Sequence, residues 1–116
     1  NDSVTIDPGS TAIMPTGIKM QVPSNHMLQI MNKSGIASKR SLLVGACVVD
    51  YGYNGEIFVN LHNCGVDPQT LHPGDKLAQG VFVTISRPVM TQIAEDDVYG
   101  FETSRGSGAL GSTGDR

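Results

Sequence analysis

Residues 42–61 read L-L-V-G-A-C-V-V-D-Y-G-Y-N-G-E-I-F-V-N-L. An apolar run from Leu42 to Val49 meets a cluster of turn formers, and a second apolar run follows from Glu56 to Leu61. Val44, Val48, Val49, Ile57 and Val59 are β-branched, which suits a pleated, half-buried surface better than a helix. Asn54-Gly55 is a strong hairpin signal, because both central positions of a type I′ turn need positive φ. The stretch therefore predicts two paired strands with Asp50, Tyr51 and Tyr53 at the neck of their hairpin.

The rest of the chain carries the same punctuation. Short β-rich runs are expected at Val4 to Ile6, Thr11 to Met14, Ile18 to Val22, Met27 to Met31 and Leu77 to Ile85. Turns are expected at Asp7-Pro8-Gly9, Pro15-Thr16-Gly17, Pro23-Ser24-Asn25 and Pro73-Gly74-Asp75. Many short strands at this spacing predict an all-β sandwich or barrel. Helical periodicity is nearly absent, and Ser34 to Lys39 has room for one helical turn.

At 116 residues the chain is expected to form one domain. Aromatic residues make up 5% and tryptophan is absent, so the core must rest on Val, Ile, Leu and Met. Met14, Met20, Met27 and Met31 suit core filling or a subunit interface. The formal charge of −3 argues against nonspecific nucleic-acid binding, which needs a basic patch. It leaves room for a nucleotide. No apolar run approaches the roughly 20 residues of a membrane-spanning helix, so neither nucleic acid nor membrane is an expected partner. Cys47 and Cys64 lack metal-type spacing and read as buried thiols. Nothing resembles a secretory signal, so an intracellular setting is expected, in cytoplasm or nucleus, with a viral or phage origin left open. His26, His62 and His72 are scattered and read as surface or turn residues. Glu95-Asp96-Asp97 reads as a solvated patch, with Tyr99 and Phe101 as candidates to dock behind it.

Four segments carry candidate chemistry. In Lys33-Ser34-Gly35-Ile36-Ala37, a cation, a hydroxyl and a glycine could bind an anion, and could equally make a plain turn. Asp50 could act as a general base with Tyr53 as a flat wall, or the two could simply open a turn and cover a sheet. Gln79 interrupts a largely apolar strand, so it needs a hydrogen-bond partner from backbone, water or ligand. Residues 105–116, R-G-S-G-A-L-G-S-T-G-D-R, read either as a linker or as a flap that orders over a ligand. Arg105 offers a planar fork suited to phosphate, and Ser112 and Thr113 offer hydroxyls.

Taken in order, K-S-G-I-A, V-V-D-Y-G-Y-N-G-E, G-D-K-L-A-Q and R-G-S-G-A-L-G-S-T-G resemble four of the five motifs of the trimeric all-β dUTPase family. The resemblance spans about residues 15–114. It implies a distorted jelly-roll-like barrel or sandwich over residues 1–101, a flexible arm over 102–116, and a homotrimer with sites shared between subunits. It implies hydrolysis of dUTP to dUMP and pyrophosphate, with Mg2+ held through phosphates and waters rather than by direct ligands from this chain. Asp50 would activate the attacking water, and backbone around Cys47, Val48 and Val49 would read uracil. Tyr53 would lie under the deoxyribose. Lys33, Ser34, Gly35 and Gln79 would lie along the phosphates. Arg105, Leu110, Gly111, Ser112 and Thr113 would close over the nucleotide from a neighbouring subunit.

Four departures from the family pattern stand out. Lys33 replaces the usual Arg, Cys47 a usual Gly whose replacement side chain must point away, and Leu110 the usual stacking Phe. The first motif, an Ala-Gly-x-Asp-type segment, belongs before Val4, so a further stretch is expected ahead of Asn1. Two alternatives are a non-catalytic nucleotide sensor on the same fold and a dCTP deaminase. Asn60 disfavours the latter, because it stands where that related family carries a catalytic Glu.

Overall fold

The computed structural model describes residues 3–98 and 102–110. Its organising strand is β6 (Glu56–Asn63), in which Ile57, Val59, Leu61 and Asn63 are buried while the residues between them are not. That period of two follows from the pleat, which sends successive side chains to opposite faces. β6 lies between β2 (Thr11–Lys19) and β4 (Leu42–Val44), antiparallel to both. A second three-stranded sheet centres on β3 (His26–Asn32), flanked by β5 (Val48–Val49) and β8 (Ala78–Thr84). A short ribbon pairs β1 (Val4–Ile6) with β7 (Gln69–Leu71), where Thr5 and Thr70 face each other and share a 2.8 Å hydroxyl hydrogen bond.

The two sheets close on one core. Leu28 and Ile30 of β3 meet Leu42, Ile57, Val59 and Leu61 of the facing sheet, with Ile6, Leu71 and Val22 sealing the end. Asn63 is the one buried polar residue among those described. Its amide nitrogen donates to the carbonyls of Ile6 and Asp67, both at 2.8 Å, and its Oδ1 accepts from the Gly65 N–H at 3.0 Å. Asn63 thereby ties the ribbon to β6 with its polar capacity met, as burial demands.

The all-β expectation holds, with several local corrections. Leu42 to Val49 is not one strand. It splits into β4 and β5, which belong to different sheets, so Gly45, Ala46 and Cys47 carry the chain across. The expected pairing is kept by Leu42–Val44, which lies antiparallel to β6, but the tight Asn54-Gly55 hairpin does not form, because β5 pairs with β3 and not with β6. The tight turn lies three residues earlier: the Tyr53 N–H donates to the Asp50 carbonyl at 3.2 Å, and Gly52 takes φ +91°. Pro15-Thr16-Gly17 is no chain reversal either. β2 runs through it as an edge strand with a register shift between Pro15 and Lys19, which is where a sheet tolerates proline. Met20 to Val22 lie beyond the strand, although Val22 is buried.

The single turn at Ser34 is a seven-residue helix, α1 (Ser34–Arg40), ended by Ser41 at φ +55°. β7 was not expected, being only Gln-Thr-Leu behind Pro68. The turns at residues 7–10, 23–26 and 72–75 form with the predicted punctuation. Met14 packs on the core, whereas Met20 and Met31 are exposed. Cys47 is half-buried and Cys64 is exposed, against the expectation of two buried thiols; both are free. Residues 95–97 form an exposed 3-10 turn. Tyr99 and Phe101 lie outside the described residues.

Candidate active site

The turn at Asp50 sits where the chain leaves β5. Gly52 supplies the left-handed backbone that the third position of such a turn requires. The turn presents the Asp50 side chain to solvent. Tyr53 follows, with its hydroxyl donating to the Glu56 carbonyl at 2.6 Å, so the ring is fixed at both ends. Gly55 permits this placement: a Cβ there would stand 2.5 Å from the Tyr53 hydroxyl oxygen and 2.7 Å from Cζ. Glu56 is occupied in turn, its Oε2 accepting from the Gly17 N–H of the β2 bulge at 3.0 Å.

Cys47, Val48, Val49, Asp50 and Tyr53 line one cleft of about 200 Å³, floored by Ile30 and Ile57. β5 is an edge strand, so alternate backbone N–H and C=O groups face away from the ladder, the arrangement needed to read a flat polar ligand edge. The Cys47 carbonyl is already engaged by the Ile30 N–H at 2.7 Å. This leaves Val48 and Val49 as the better-placed readers. Cys47 lies along the cleft wall rather than clear of it.

Lys33 and Gln79 meet elsewhere. They line a larger groove of about 570 Å³ between the edge strands β2 and β8, with Asp75 and Lys76 at its rim. Its lining shares Ile30 and Ile57 with the Asp50 cleft, so the two are separate openings onto the same core. Gln79 finds its partner in backbone, its Nε2 donating to the Asn32 carbonyl at 2.8 Å. Ser34 and Gly35 are exposed in the first turn of α1. The arm contacts neither cleft through its described hydrogen bonds, which are local. Arg105 Nε donates to the Gly108 carbonyl at 2.9 Å, and the Gly106 N–H to Thr103. Leu110 is fully exposed. Gly111, Ser112 and Thr113 lie outside the described residues.

The site thus offers an exposed carboxylate beside an edge strand, a tyrosine held at its hydroxyl, and a separate groove that carries Lys33 and Gln79. The dUTPase family profile matches residues 1–114. The chain belongs to the dUTPase family. Among its relatives, the deoxyuridine 5'-triphosphate nucleotidohydrolase of Desulfotalea psychrophila is 35% identical over 95% of this chain and 72% of its own length. Among solved structures, the Staphylococcus bacteriophage 80alpha dUTPase with dUPNHPP superposes with a TM-score of 0.88 at 21% identity, covering 97% of this chain and 81% of the other. A mutant dUTPase from phage phi11 of S. aureus, described for its coordination of a structural Mg(II) ion, gives 0.76 at 23% identity, covering 81% and 78%. At those identities the two structures establish the fold, in agreement with the dUTPase family match. Sequence reasoning missed Glu56 and Asn32 as supports of this candidate site. Their signal was positional, one following Gly55 and the other preceding Lys33.

Proposed function

We propose that this chain hydrolyses dUTP to dUMP and pyrophosphate, limiting uracil in DNA and supplying dUMP, at sites completed between copies of a homotrimer. The observation that carries the reading is Asp50, held on a glycine turn at the end of an edge strand with Tyr53 locked beside it. In this reading Asp50 takes a proton from the water attacking the α-phosphorus, and the bond to the bridging oxygen breaks as pyrophosphate leaves. Val48 and Val49 offer backbone to the uracil edge, and the Tyr53 ring excludes a 2'-hydroxyl by crowding the sugar. Ser34 and Gln79 contact phosphate, with Lys33 adding charge.

Among the described residues no three His, Cys, Asp or Glu side chains converge to hold a metal ion. Mg2+ commonly binds through one or two carboxylates plus phosphates and retained waters. In this reading the ion would arrive with the triphosphate and be held through its phosphates and waters, leaving the exposed Asp50 carboxylate for the proton. When bound, the ion would neutralise phosphate charge in the ground and transition states.

Trimer formation is supported by what a single copy leaves uncovered. Ile13, Ile18, Phe58 and Phe82 are exposed on strands. The deaminase alternative is weakened by Asn60, whose side-chain amide is committed to hydrogen bonds with Ala46, Thr11 and Ala12 and carries no titratable proton. Pyrophosphate release from dUTP with Mg2+ tests the reading. No release, with nucleotide still bound, would favour a non-catalytic sensor instead.

A further inference from the structure

From Val44 to Val48 the backbone passes from one sheet to the other, so its N–H groups that face away from β6 lack ladder partners. Such groups need substitutes. The Gly45 N–H keeps a backbone bond to β6, on the Asn60 carbonyl at 2.9 Å, whereas the Val44 N–H donates to Asn32 Oδ1 at 2.8 Å. The Ala46 N–H donates to Asn60 Oδ1 at 2.9 Å. The Cys47 carbonyl then enters the second sheet on Ile30. Two side-chain amides therefore grip the crossing, one on each side of Gly45.

Asn60 has its orientation dictated. Its Nδ2 donates to Thr11 Oγ1 at 3.0 Å and to the Ala12 carbonyl at 3.2 Å, which leaves Oδ1 for Ala46. Gly45 completes the fit, since a Cβ there would collide with Asn60 Oδ1 and His62 Nε2. Asn32 also reaches the other cleft: its carbonyl holds Gln79, and Lys33 and Ser34 follow it in sequence.

We propose that Asn32 and Asn60 are positioning residues for the dUTP reaction. They fasten the crossover so that the Val48-Val49 edge and the Asp50 carboxylate meet the nucleotide in one geometry. The inference rests on the dUTPase reading above, and both residues act through backbone rather than on substrate. The chemistry at 60 requires an amide. Aspartate keeps an acceptor for Ala46 but sets an oxygen against the Ala12 carbonyl, whereas leucine removes both contacts.

The test compares parent, Asn60→Leu, Asn60→Asp and Asn32→Ala by kcat and KM for dUTP, melting temperature, and amide hydrogen exchange through residues 44–50. Asn60→Leu should lower kcat roughly tenfold, with faster exchange at Ala46 by a similar factor. Asn60→Asp should lower the melting temperature, yet keep Ala46 protected and stay within about threefold of parental kcat. Asn32→Ala touches neither Thr11 nor Ala12, so it probes the crossing without disturbing the β2–β6 contact; Val44 should exchange faster and kcat fall several-fold. Losses of kcat that follow melting temperature equally in the Leu and Asp variants would overturn the proposal, leaving Asn60 as glue between strands. Unchanged exchange at Ala46 in Asn60→Leu and at Val44 in Asn32→Ala would overturn it too. A parent that releases no pyrophosphate refutes the dUTP reading, while the exchange data still decide whether the amides hold the crossing.

Discussion

β6 and the arm are built on opposite terms. Along β6, Ile57, Val59, Leu61 and Asn63 are buried by their own chain, and every alternate residue contributes to one core. Along residues 102–110 the described hydrogen bonds run only between near neighbours, and Leu110 is fully exposed. Burying apolar surface offsets the entropy of ordering β6. The arm has no such return within one copy, and its glycines make ordering costlier still. On the proposed dUTPase reading, nucleotide and a neighbouring copy would supply that return.

Substitutions can separate the two terms. The largest expected effect is Asp50→Asn, which should lower kcat about a thousandfold while melting temperature and nucleotide affinity stay near parental; steady-state pyrophosphate release and calorimetric binding check it. Next comes Leu61→Ala in the core, expected to cost about 2–5 kcal/mol of stability by denaturant titration. Deleting residues from Arg105 onward should do the reverse of the core change. Stability should remain within about 0.5 kcal/mol of parental, while kcat/KM falls about a hundredfold through loss of closure over the phosphates. The smallest effect is Leu110→Phe. A ring in place of an aliphatic lid should tighten dUTP binding about fivefold, and an unchanged Kd would remove residue 110 from the base.

What the sequence disclosed divides along the same line. The β-branched apolar run in Glu56 to Leu61 announced β6, because such side chains suit a pleated, half-buried surface. Asp50, Tyr53 and Gln79 were legible as candidates because polar residues interrupting apolar runs need a reason. The break at Gly45 was not legible, since Leu42 to Val49 is apolar throughout and the two halves bury into different sheets. Gly45 admits it, since a Cβ there would collide with Asn60 and His62, residues that come near only once β4 pairs with β6. The Asn54-Gly55 signal misled for a related reason. Local turn propensity yields when the strands on either side are claimed by different partners, and Gly55 is there to admit the Tyr53 ring. The separation of Lys33 and Gln79 from Asp50 into two clefts was likewise invisible, because it depends on which edge of the sandwich each strand occupies.

On the proposed dUTPase reading, Asp50 of one copy works with the arm of another. Co-refolding Asp50→Asn chains, which keep the arm, with chains lacking residues 105–116, which keep Asp50, tests it most directly. Neither parent assembly should hydrolyse dUTP appreciably. Mixed in equal amounts they should recover about a quarter of normal activity, the share of sites that pair an intact Asp50 with a neighbour's intact arm in random trimers. Activity no greater than that of the unmixed variants would contradict the account, because it would place carboxylate and arm in the same copy.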